Sequence, residues 1–535
     1  MPQQLPQITI LPTRHPDPRK AIFHQPSQNQ LRILAIRLLL AYSLRADLGG
    51  IPDPQLEIDR TQIFLRTTDV ESLIAEDHPV RAIWIFLGRL DLSKFSEEQR
   101  AVEGSVGRSA ISPHLLLSIW IYSYARGVSS ARQISREMEH EPGLQWLAGM
   151  EVVNHHTLSD FRVAHGSALQ NLMEQVLGVL FSEGLVGLER VTQDGTKIRA
   201  QASKRSFLDR KHLQQSLDLA KRHMANVDAD NVDPLSQHQE AARYRVQRER
   251  EARLQSALQS LSTIEQAKKY SEAKPAQVSI SDPDARFMRQ GDGAIAPSYN
   301  IQFTTDVAQG LVVGVAVVQA SNDTQELPLA MDRFQKQYGS YPAQVVADGG
   351  FTNHESVIAM HERNIEFFGS FGDRRLQRPK AKGGGVYRAE LFTHDAKADQ
   401  MICPENKRLP FRYFDRQPGR TIRVYSARKE ECHVCPSRQA CCGQSKLKQT
   451  GRRITVSEDL LPMRRFEERM STAHAKQIYR QRARVAEFPH AWIKSKCGLR
   501  QFRCRTRLKV ACEVLFAALT YNLQRYMKLS SFVSR

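Results

Sequence analysis

The sequence predicts an α/β protein in which helices cover a mixed sheet, with a helical domain ahead of the sheet and two insertions within it. Two observations support this fold class. Apolar residues recur with helical spacing from about residue 70 to residue 189. From residue 190 to residue 370, short β-rich runs alternate with helical runs. Alternation of this kind is typical of a sheet layer packed against helices.

Residues 1–64 are predicted to form a loose leader. Eight of the first 60 residues are proline, with little periodic pattern around them. The best apolar run there, 38–44, lies between Arg37 and Arg45, far short of the roughly 20 residues of a membrane helix. Eight cysteines are too few for a disulfide scaffold, and no signal pattern opens the chain. These features predict a cytoplasmic protein with no membrane partner.

Residues 65–189 are predicted to be an all-helical domain that binds DNA. Two segments, 129–138 and 157–165, begin with a hydroxyl residue suited to capping a helix and resemble a helix-turn-helix pair. The basic residues on them are Arg132, Arg136 and Arg162. Generic helical packing explains the same pattern, so DNA recognition and packing both remain open.

Residues 190–370 are predicted to form the mixed sheet. The expected strands are 191–198, 298–305, 311–319, 343–347 and 365–369, with a five-residue hairpin connection at 306–310 and a helix at 326–338. A helical hairpin, within 207–272, interrupts this sheet after its first strand and turns around Asp233 and Pro234. The second insertion, 371–460, is polar and rich in glycine, arginine and cysteine, and 461–535 is predicted to be helical.

The cysteines of the second insertion have the spacing of metal ligands. Cys403 is followed after 28 residues by Cys432-x2-Cys435, and after five more by Cys441 and Cys442. A Cys-x2-Cys pair lets two thiolates of one turn reach the same ion, which distant ligands then enclose. The sequence predicts a structural Zn²⁺ bound by Cys403, Cys432, Cys435 and Cys441. Cys442 and His433 remain alternatives for the fourth ligand.

The net charge of the 535-residue chain is +19, from 76 Lys and Arg against 57 Asp and Glu. It is concentrated in residues 476–509, here called the basic segment, which contain eleven basic residues and the single acid Glu487. Exposed helices usually interleave both signs, whereas a surface that binds a polyanion does not. The basic segment therefore predicts a nucleic-acid partner.

Two aspartates end predicted strands that should be neighbours in the sheet. Asp194 in VTQDGTKI and Asp348 in VVADGGF are each followed by glycine, which allows close approach of backbone or substrate. A carboxylate at the end of a buried strand is costly unless a cation or partner compensates its charge. Together with Glu487, they form a three-carboxylate set able to hold two divalent ions about 4 Å apart.

At these residues the sequence resembles the DDE-type transposases of insertion sequences, which have an RNase H-like catalytic core. The resemblance covers residues 65 to 526 and rests on DGTKIRAQAS, SDPDARFM, PSYNIQFTTD, ADGGF, YRQRARVAEFPHAWIK and LTYNLQRY. It implies that Asp194, Asp348 and Glu487 are catalytic and bind two Mg²⁺ or Mn²⁺ ions, with Asp194 bridging both. It further implies that Tyr479, Arg482 and Lys494 hold the DNA backbone.

The resemblance also implies the partners: double-stranded DNA at the transposon ends and the target, bound by a homodimer in the bacterial nucleoid. The Glu487 region departs from relatives that read Val-Glu-Pro and then Phe-Gly. Because proline is tolerated in a first helical turn, Pro489 predicts a helix that begins near Glu487. Glu513 is the alternative third carboxylate. A non-catalytic DNA-binding descendant and a nuclease without strand transfer are the alternative functions.

Overall fold

The computed structural model describes residues 67, 69–97, 110–227, 237–267, 275–370, 387, 391–395, 397–417, 420–442, 451–458 and 461–533. The chain divides into the units Met1–Thr67 and Thr68–Arg535, and the second contains the helical domain, the sheet and both insertions. The predicted leader lies outside the described residues, as does the turn of the helical hairpin around Asp233 and Pro234.

The part of the chain ahead of the sheet is helical, as predicted. After a 3-10 turn at Val70–Leu73, the helices are Pro79–Leu87, Ser93–Ser96, Pro113–Ala125, Ala131–Glu137, Pro142–Ala148, His155–Ala164 and Gly166–Ser182. The helix Pro113–Ala125 is apolar on all sides and is buried at the centre of this group. Its Trp120 and Tyr124 are fully buried against Phe516, so the helical domain and the C-terminal end of the chain share one core.

The helix-turn-helix prediction is corrected in two respects. A separate helix, Pro142–Ala148, lies between the two predicted members, so they are not the consecutive helices of that motif. The second member is capped by Asn154, whose side chain accepts the N–H of His156, and not by Thr157. The two helices nevertheless pack against each other.

A six-stranded mixed sheet follows, and all five predicted strands are present in it. The strands over this part of the chain are β1 Arg190–Arg199, β2 Phe207–Leu208, β3 Val278–Ser279, β4 Arg286–Arg289, β5 Ile295–Asp306, β6 Val312–Val318, β7 Gln344–Ala347 and β8 Glu366–Phe368. The order is β4-β5-β1-β7-β8, with β6 also paired to β5. β1 is antiparallel to β5 and parallel to β7, which is parallel to β8. The helices Glu326–Tyr338 and His354–Glu362 connect β6, β7 and β8.

The first insertion is the predicted pair of antiparallel helices, Arg210–Val227 and Gln237–Ala267. Leu213 and Leu217 of the first helix share a small core with Leu254 and Leu261 of the second. The sequence predicted this pairing because its apolar residues fall on one stripe of each helix.

The second insertion contains a sheet that the sequence did not predict. Its five strands are antiparallel: β9 Thr393–Asp395, β10 Gln400–Ile402, β11 Arg408–Gln417, β12 Arg420–Ser426 and β13 Arg453–Glu458. Two short helices, Lys429–His433 and Arg438–Cys442, lie between β12 and β13. The apolar alternation of β11 shifts by one residue at a bulge between Phe411 and Tyr413. That shift hides the period-two pattern from which a strand is recognised.

The chain ends in three helices, Leu461–Ser471, Ala473–Ser495 and Arg507–Val533; the second is called the late helix and the third the C-terminal helix. The prediction that the late helix begins near Glu487 is wrong. It begins at Ala473, where the Thr472 hydroxyl accepts the N–H of Ala475, and Pro489 lies inside it. Burial of Pro489 and its neighbours Ala486 and His490 offsets the hydrogen bond that proline removes. Across the described residues, none of the helices is long and apolar enough to span a membrane.

Candidate active site and DNA interface

The structure brings Asp194 and Asp348 together where the parallel pairing of β1 with β7 ends. Asp348 directly follows β7, as predicted, whereas Asp194 lies in the middle of β1 and not at its end, because β1 continues to Arg199 along β5. The register of these strands pairs Gln193 with Ala347, so the two aspartates occupy the next facing positions. The charge of Asp348 acts on Asp194 and contributes to raising its pKa.

Asp194 is held in a buried position in which ionisation is unfavourable. Its carboxylate is 14 % exposed, and its Oδ1 accepts the N–H of Gly195 at 2.8 Å. Burial and, to a smaller extent, Asp348 raise the pKa of Asp194 to about 6. The N–H of Gly195 and the guanidinium of Arg482 lower it, but they do not offset the burial. Asp348 is fixed by its own turn, where its Oδ1 accepts the N–H of Gly350 at 2.7 Å.

The late helix places Arg482 between Asp194 and Glu487. The Arg482 guanidinium lies 3.9 Å from Asp194 Oδ2 and 3.9 Å from Glu487 Oε1, and it is positioned over the Tyr479 ring. Arg482 is 16 % exposed, whereas Glu487 is 64 % exposed. Glu487 is thus linked to Asp194 through Arg482 and lies at the solvent side of the site. Its role as third carboxylate ligand stays a prediction.

Lys494 and His490 complete the surroundings of Asp194. Lys494 is half-buried, and its pKa is lowered by burial and by Lys197, although Asp194 opposes the shift. His490 is buried, with Nδ1 4.0 Å from Asp194 Oδ2 and its ring packed against Phe303. Burial and the charge of Lys494 lower the pKa of His490 to about 3. Sequence reasoning missed His490, although its position four residues before Lys494 places both on one helical face.

The chemistry of this donor set fits a hard divalent cation. Two facing carboxylates, one of them buried with a raised pKa, gain most from a cation bound between them. Carboxylate oxygens are the ligands that Mg²⁺ prefers. Over the ranges that the structure describes, no group of three or more His, Cys, Asp or Glu side chains has, as it stands, the geometry to hold a metal ion. Asp194 and Asp348 therefore fit a divalent ion. Glu487 is the predicted third ligand.

The raised pKa of Asp194 predicts an unusual effect of Asp194→Asn on stability. Between the ordinary pKa of 3.8 and the folded value of about 6, the folded state binds more protons than the unfolded state. Stability from this group is therefore lost as the pH rises through that window. In metal-free buffer at pH 7, Asp194→Asn is expected to raise the free energy of unfolding by up to about 3 kcal/mol. Urea unfolding of variant and wild type at pH 4 and pH 7 measures the difference.

Asp332→Asn is the matched control for this prediction. Hydrogen bonding from Arg363 lowers the pKa of Asp332, so its contribution to stability is present at neutral pH and is lost as the pH falls. The Asp332→Asn variant should consequently become less stable relative to wild type as the pH rises. If Asp194→Asn destabilised the protein at pH 7 as Asp332→Asn does, the electrostatic description of Asp194 would be contradicted.

Glu513, the alternative third carboxylate, has a structural position. It is completely buried in the C-terminal helix. Its carboxylate accepts the backbone N–H groups of Arg503 and Cys504, so it holds the segment that enters the helix. These bonds use Glu513 for packing, as its apolar neighbourhood in the sequence indicated.

The three arginines of the predicted recognition helices differ in exposure. Arg132 and Arg136 are exposed, whereas Arg162 is only 4 % exposed. The Arg162 guanidinium lies over the Trp120 ring and donates to the Ser129 carbonyl at 2.7 Å. The prediction that Arg162 contacts DNA does not fit this position, because the side chain is committed to the core. The helical pattern alone did not reveal this, since Arg162 follows the apolar Phe161 at a helix–helix contact.

The five cysteines of the second insertion line one small cavity: Cys403, Cys432, Cys435, Cys441 and Cys442. Two of their sulfurs accept backbone N–H groups, Cys403 from Lys407 at 3.3 Å and Cys432 from Arg452 at 3.2 Å. Burial raises the pKa of Cys441 to about 12, so its thiolate form needs a nearby cation. Zn²⁺ binds thiolates in closed tetrahedral sites, but the sulfurs of these described cysteines do not, as they stand, have that geometry.

Comparison with known proteins identifies two transposase domains in the chain. Residues 68–164 match a family described as Transposase domain (DUF772), and residues 402–527 match one described as Transposase DDE domain. The second match includes Tyr479, Arg482, Glu487 and Lys494 and begins after Asp348. No curated protein matched significantly.

The chain also aligns with a solved structure, a chain of the piggyBac transposase synaptic complex with hairpin DNA. The alignment covers 86 % of this chain and 75 % of the other at 9 % identity, with a TM-score of 0.26. A likeness this low carries no argument about fold or function. The two domain matches define the class, a transposase with a DDE domain. Both matches support the resemblance of this chain to the DDE-type transposases of insertion sequences.

Proposed function

We propose that this protein cuts DNA at the ends of its insertion sequence and joins those ends to a target, in a reaction that depends on divalent metal ions. The observation that carries the proposal is the facing pair Asp194 and Asp348 beside the positively charged late helix. Carboxylates bind the metal ions, and the basic segment attracts the phosphates that the ions act on.

The strand order supports an RNase H-like core. Leaving out the short edge strand β4, the order across the sheet is β6-β5-β1-β7-β8. Among these five strands, β5 is antiparallel to both β1 and β6, and β7 and β8 run parallel to β1. An aspartate on the first strand and another after the fourth, Asp194 and Asp348, follow the arrangement that the resemblance implied.

Asp194, Asp348 and Glu487 would hold the two Mg²⁺ or Mn²⁺ ions. Such ions activate the attacking oxygen and stabilise the leaving oxygen in phosphoryl transfer. The same site then serves water in the cutting step and a 3′ hydroxyl in the joining step. Arg482 pairs with both Asp194 and Glu487 in this structure. When these carboxylates bind cations, its guanidinium is free to pair with a phosphate instead.

Lys494, Arg482 and Tyr479 are proposed to hold the DNA backbone near the cut. All three lie on the late helix, and Lys494 and Arg482 act electrostatically on Asp194. Lysine and arginine bind phosphate oxygens without reading the base sequence. We therefore assign these residues to affinity and orientation, and base recognition to another part of the chain.

The Arg482→Ala and Lys494→Ala double variant is expected to bind DNA more weakly whatever its sequence. The slope of log affinity against log salt concentration should fall by about 0.9 for each phosphate that the variant no longer neutralises, thus by about two in total. Fluorescence anisotropy with element-end DNA and with unrelated DNA, from about 50 to 200 mM salt, measures both slopes.

A second double variant controls for the removal of two positive charges. Lys221 and Lys336 are exposed and lie outside the basic segment. Their replacement by alanine should leave the salt slope unchanged. A wild-type slope in the Arg482 and Lys494 variant would show that these side chains do not bind phosphates.

Arg132 and Arg136 are proposed to contribute to recognition of the element's own ends. Both side chains are exposed on the helix Ala131–Glu137, which packs against the helix His155–Ala164. Replacing them by alanine should reduce the preference for end DNA over unrelated DNA. The proposed homodimer brings two ends together, and the mass of the complex formed with end DNA measures its stoichiometry.

The cysteine-lined cavity is proposed to hold one structural Zn²⁺. Cys403, Cys432, Cys435 and either Cys441 or Cys442 would supply the thiolates. The metal would fasten the short helices Lys429–His433 and Arg438–Cys442 to Cys403, which directly follows β10. His433 is a weaker alternative ligand, since its side chain does not line the cavity.

A cleavage and joining assay tests the proposed function. Labelled end DNA, a target plasmid and purified protein are incubated with Mg²⁺, with Mn²⁺ or with EDTA. Metal-dependent nicks together with joined products support a transposase. Nicks without joined products indicate a nuclease, and end-specific binding without nicks indicates a DNA-binding protein that no longer catalyses the reaction.

A further inference from the structure

A buried polar network lies on the face of β1 next to the Asp194 position. Asp323, in the loop after β6, accepts hydrogen bonds at Oδ1 from Asn300 and Gln302, both at 2.7 Å. Its Oδ2 accepts from Lys197 Nζ at 2.8 Å. The side chains of Lys197 and Asp323 are only 20 % and 16 % exposed. Each carboxylate oxygen of Asp323 is therefore fixed by at least one donor.

The network follows the strand pairing of β1 and β5. Lys197 faces Asn300 and Gly195 faces Gln302 in the register, and Gln193 faces Thr304. Gln193 extends the network, donating to Gln302 at 2.8 Å and accepting from Thr304 at 2.7 Å. Alternate residues of a strand share one face, so Gln193 and Lys197 flank Gly195 while Asp194 points to the other face.

Gly195 is the point at which the network meets the site. A Cβ on this residue would lie 2.5 Å from Asp323 Oδ1 and 2.5 Å from Gln302 Nε2. Glycine is therefore required for the two side chains to pack on the backbone here. The N–H of the same residue donates to Asp194 Oδ1. Asp323 and Gln302 thus lie against the Gly195 residue whose N–H holds the Asp194 carboxylate.

Burying a polar network at this place costs free energy, and packing alone does not explain why the network is there. Buried sheet faces are usually apolar, and desolvating six polar side chains is unfavourable unless each is hydrogen-bonded. Hydrogen-bonded networks of this kind make a local structure rigid and specific, and here Asn300 Oδ1 lacks a partner while both carboxylate oxygens of Asp323 accept hydrogen bonds. Rigidity is needed where a carboxylate must present both oxygens to a metal ion.

We propose that Asp323 is a positioning residue of the candidate active site: with Lys197, Asn300 and Gln302 it fixes the Gly195 peptide and thereby the Asp194 carboxylate. The inference rests on the proposed function, since it assigns Asp194 to a metal ion. Asp323 touches neither DNA nor metal in this role. It acts through the backbone of β1, and its charge also contributes to raising the pKa of Asp194.

Mn²⁺ affinity of the full chain, measured by titration calorimetry, tests the role of Asp323. Asp323→Ala is expected to weaken Mn²⁺ binding by about 10- to 100-fold, the usual cost of removing a group that orients a metal ligand. Asp323→Asn keeps the volume and one acceptor oxygen, so its effect should be smaller. In cleavage assays both variants should lower kcat and leave KM for DNA unchanged.

Asp332→Asn is the control, because it breaks an ion pair of the same length, 2.8 Å to Arg363, away from the network. It should bind Mn²⁺ as wild type does. Folding of every variant is checked by thermal unfolding, and Asp323→Asn decides the question if Asp323→Ala does not fold. A folded Asp323 variant with wild-type Mn²⁺ affinity overturns the inference and leaves the proposed function intact.

The two proposals fail in different ways. A wild-type chain that binds Mn²⁺ but neither cuts nor joins DNA contradicts the proposed function, while the affinity comparison still decides the role of Asp323. A wild-type chain that binds no Mn²⁺ contradicts the metal assignment of Asp194, and the positioning role falls with it.

Discussion

Replacement of Asp194 or Asp348 by asparagine is expected to reduce cleavage of end DNA by about a thousandfold or more, equivalent to about 4 kcal/mol of transition-state stabilisation. Asparagine keeps the shape of each side chain but removes the charge that binds the cation. Binding of DNA should persist, because the basic segment is unchanged and one negative charge has been removed. Cleavage rates in Mg²⁺ and affinities in EDTA measure the two effects separately.

Asp332→Asn again serves as the control, since it removes a carboxylate that lies in the helix Glu326–Tyr338 and pairs with Arg363. Its cleavage rate should stay within a few-fold of wild type. Near wild-type cleavage by Asp194→Asn or Asp348→Asn would show that the facing aspartates are not the catalytic pair. Loss of DNA binding together with cleavage would point instead to a folding defect.

Cys432→Ser is expected to remove zinc from the protein and to unfold the second insertion. Structural zinc contributes about 10 to 16 kcal/mol of apparent binding free energy in small zinc domains. The apolar core beneath the five-stranded sheet is small, with Phe392, Met401, Leu409, Tyr425 and Ile454 among its buried side chains. Elemental analysis should give one zinc per wild-type chain and none in the variant. Hydrogen exchange should rise across β10 to β13 and remain low in the central sheet.

Cys504→Ser is the matched control for zinc, because Cys504 lies outside the cysteine-lined cavity. It should keep the metal. Separate serine variants of Cys441 and Cys442 identify the fourth ligand as the one whose replacement releases zinc. A folded wild-type chain purified without zinc would contradict the site.

Much of the central sheet was predictable because its signals are local. The strand runs at 191–198 and 298–305 are β-rich, and the short connection at 306–310 sets the hairpin that follows. The second insertion was not predictable in the same way, since the bulge near Phe411 shifts the face of every later side chain on β11. Pro489 misled the prediction of the late helix, because tertiary packing outweighs its local preference.

The sequence identified those residues of the candidate site whose type is unusual for their position in a strand or helix. Aspartates in β-rich runs and one acid in a basic segment are such cases, and the structure places Asp194, Asp348 and Arg482 together, although only Asp348 lies at the end of its strand. His490 and Asp323 gave no such signal. Their significance depends on contacts with residues far away in sequence, Asp194 for His490 and Lys197 for Asp323. Arg162 is the opposite case. Its positive charge suggested a contact with DNA, but its contacts place it in the core.

Anomalous scattering from crystals of the full chain with Mn²⁺ and end DNA tests the central claim most directly. We expect two Mn²⁺ peaks about 4 Å apart, with Asp194 in contact with both, Asp348 and Glu487 each in contact with one, and the scissile phosphate bound by the same ions. Crystals that contain the DNA but show no Mn²⁺ at Asp194 and Asp348 would contradict the account.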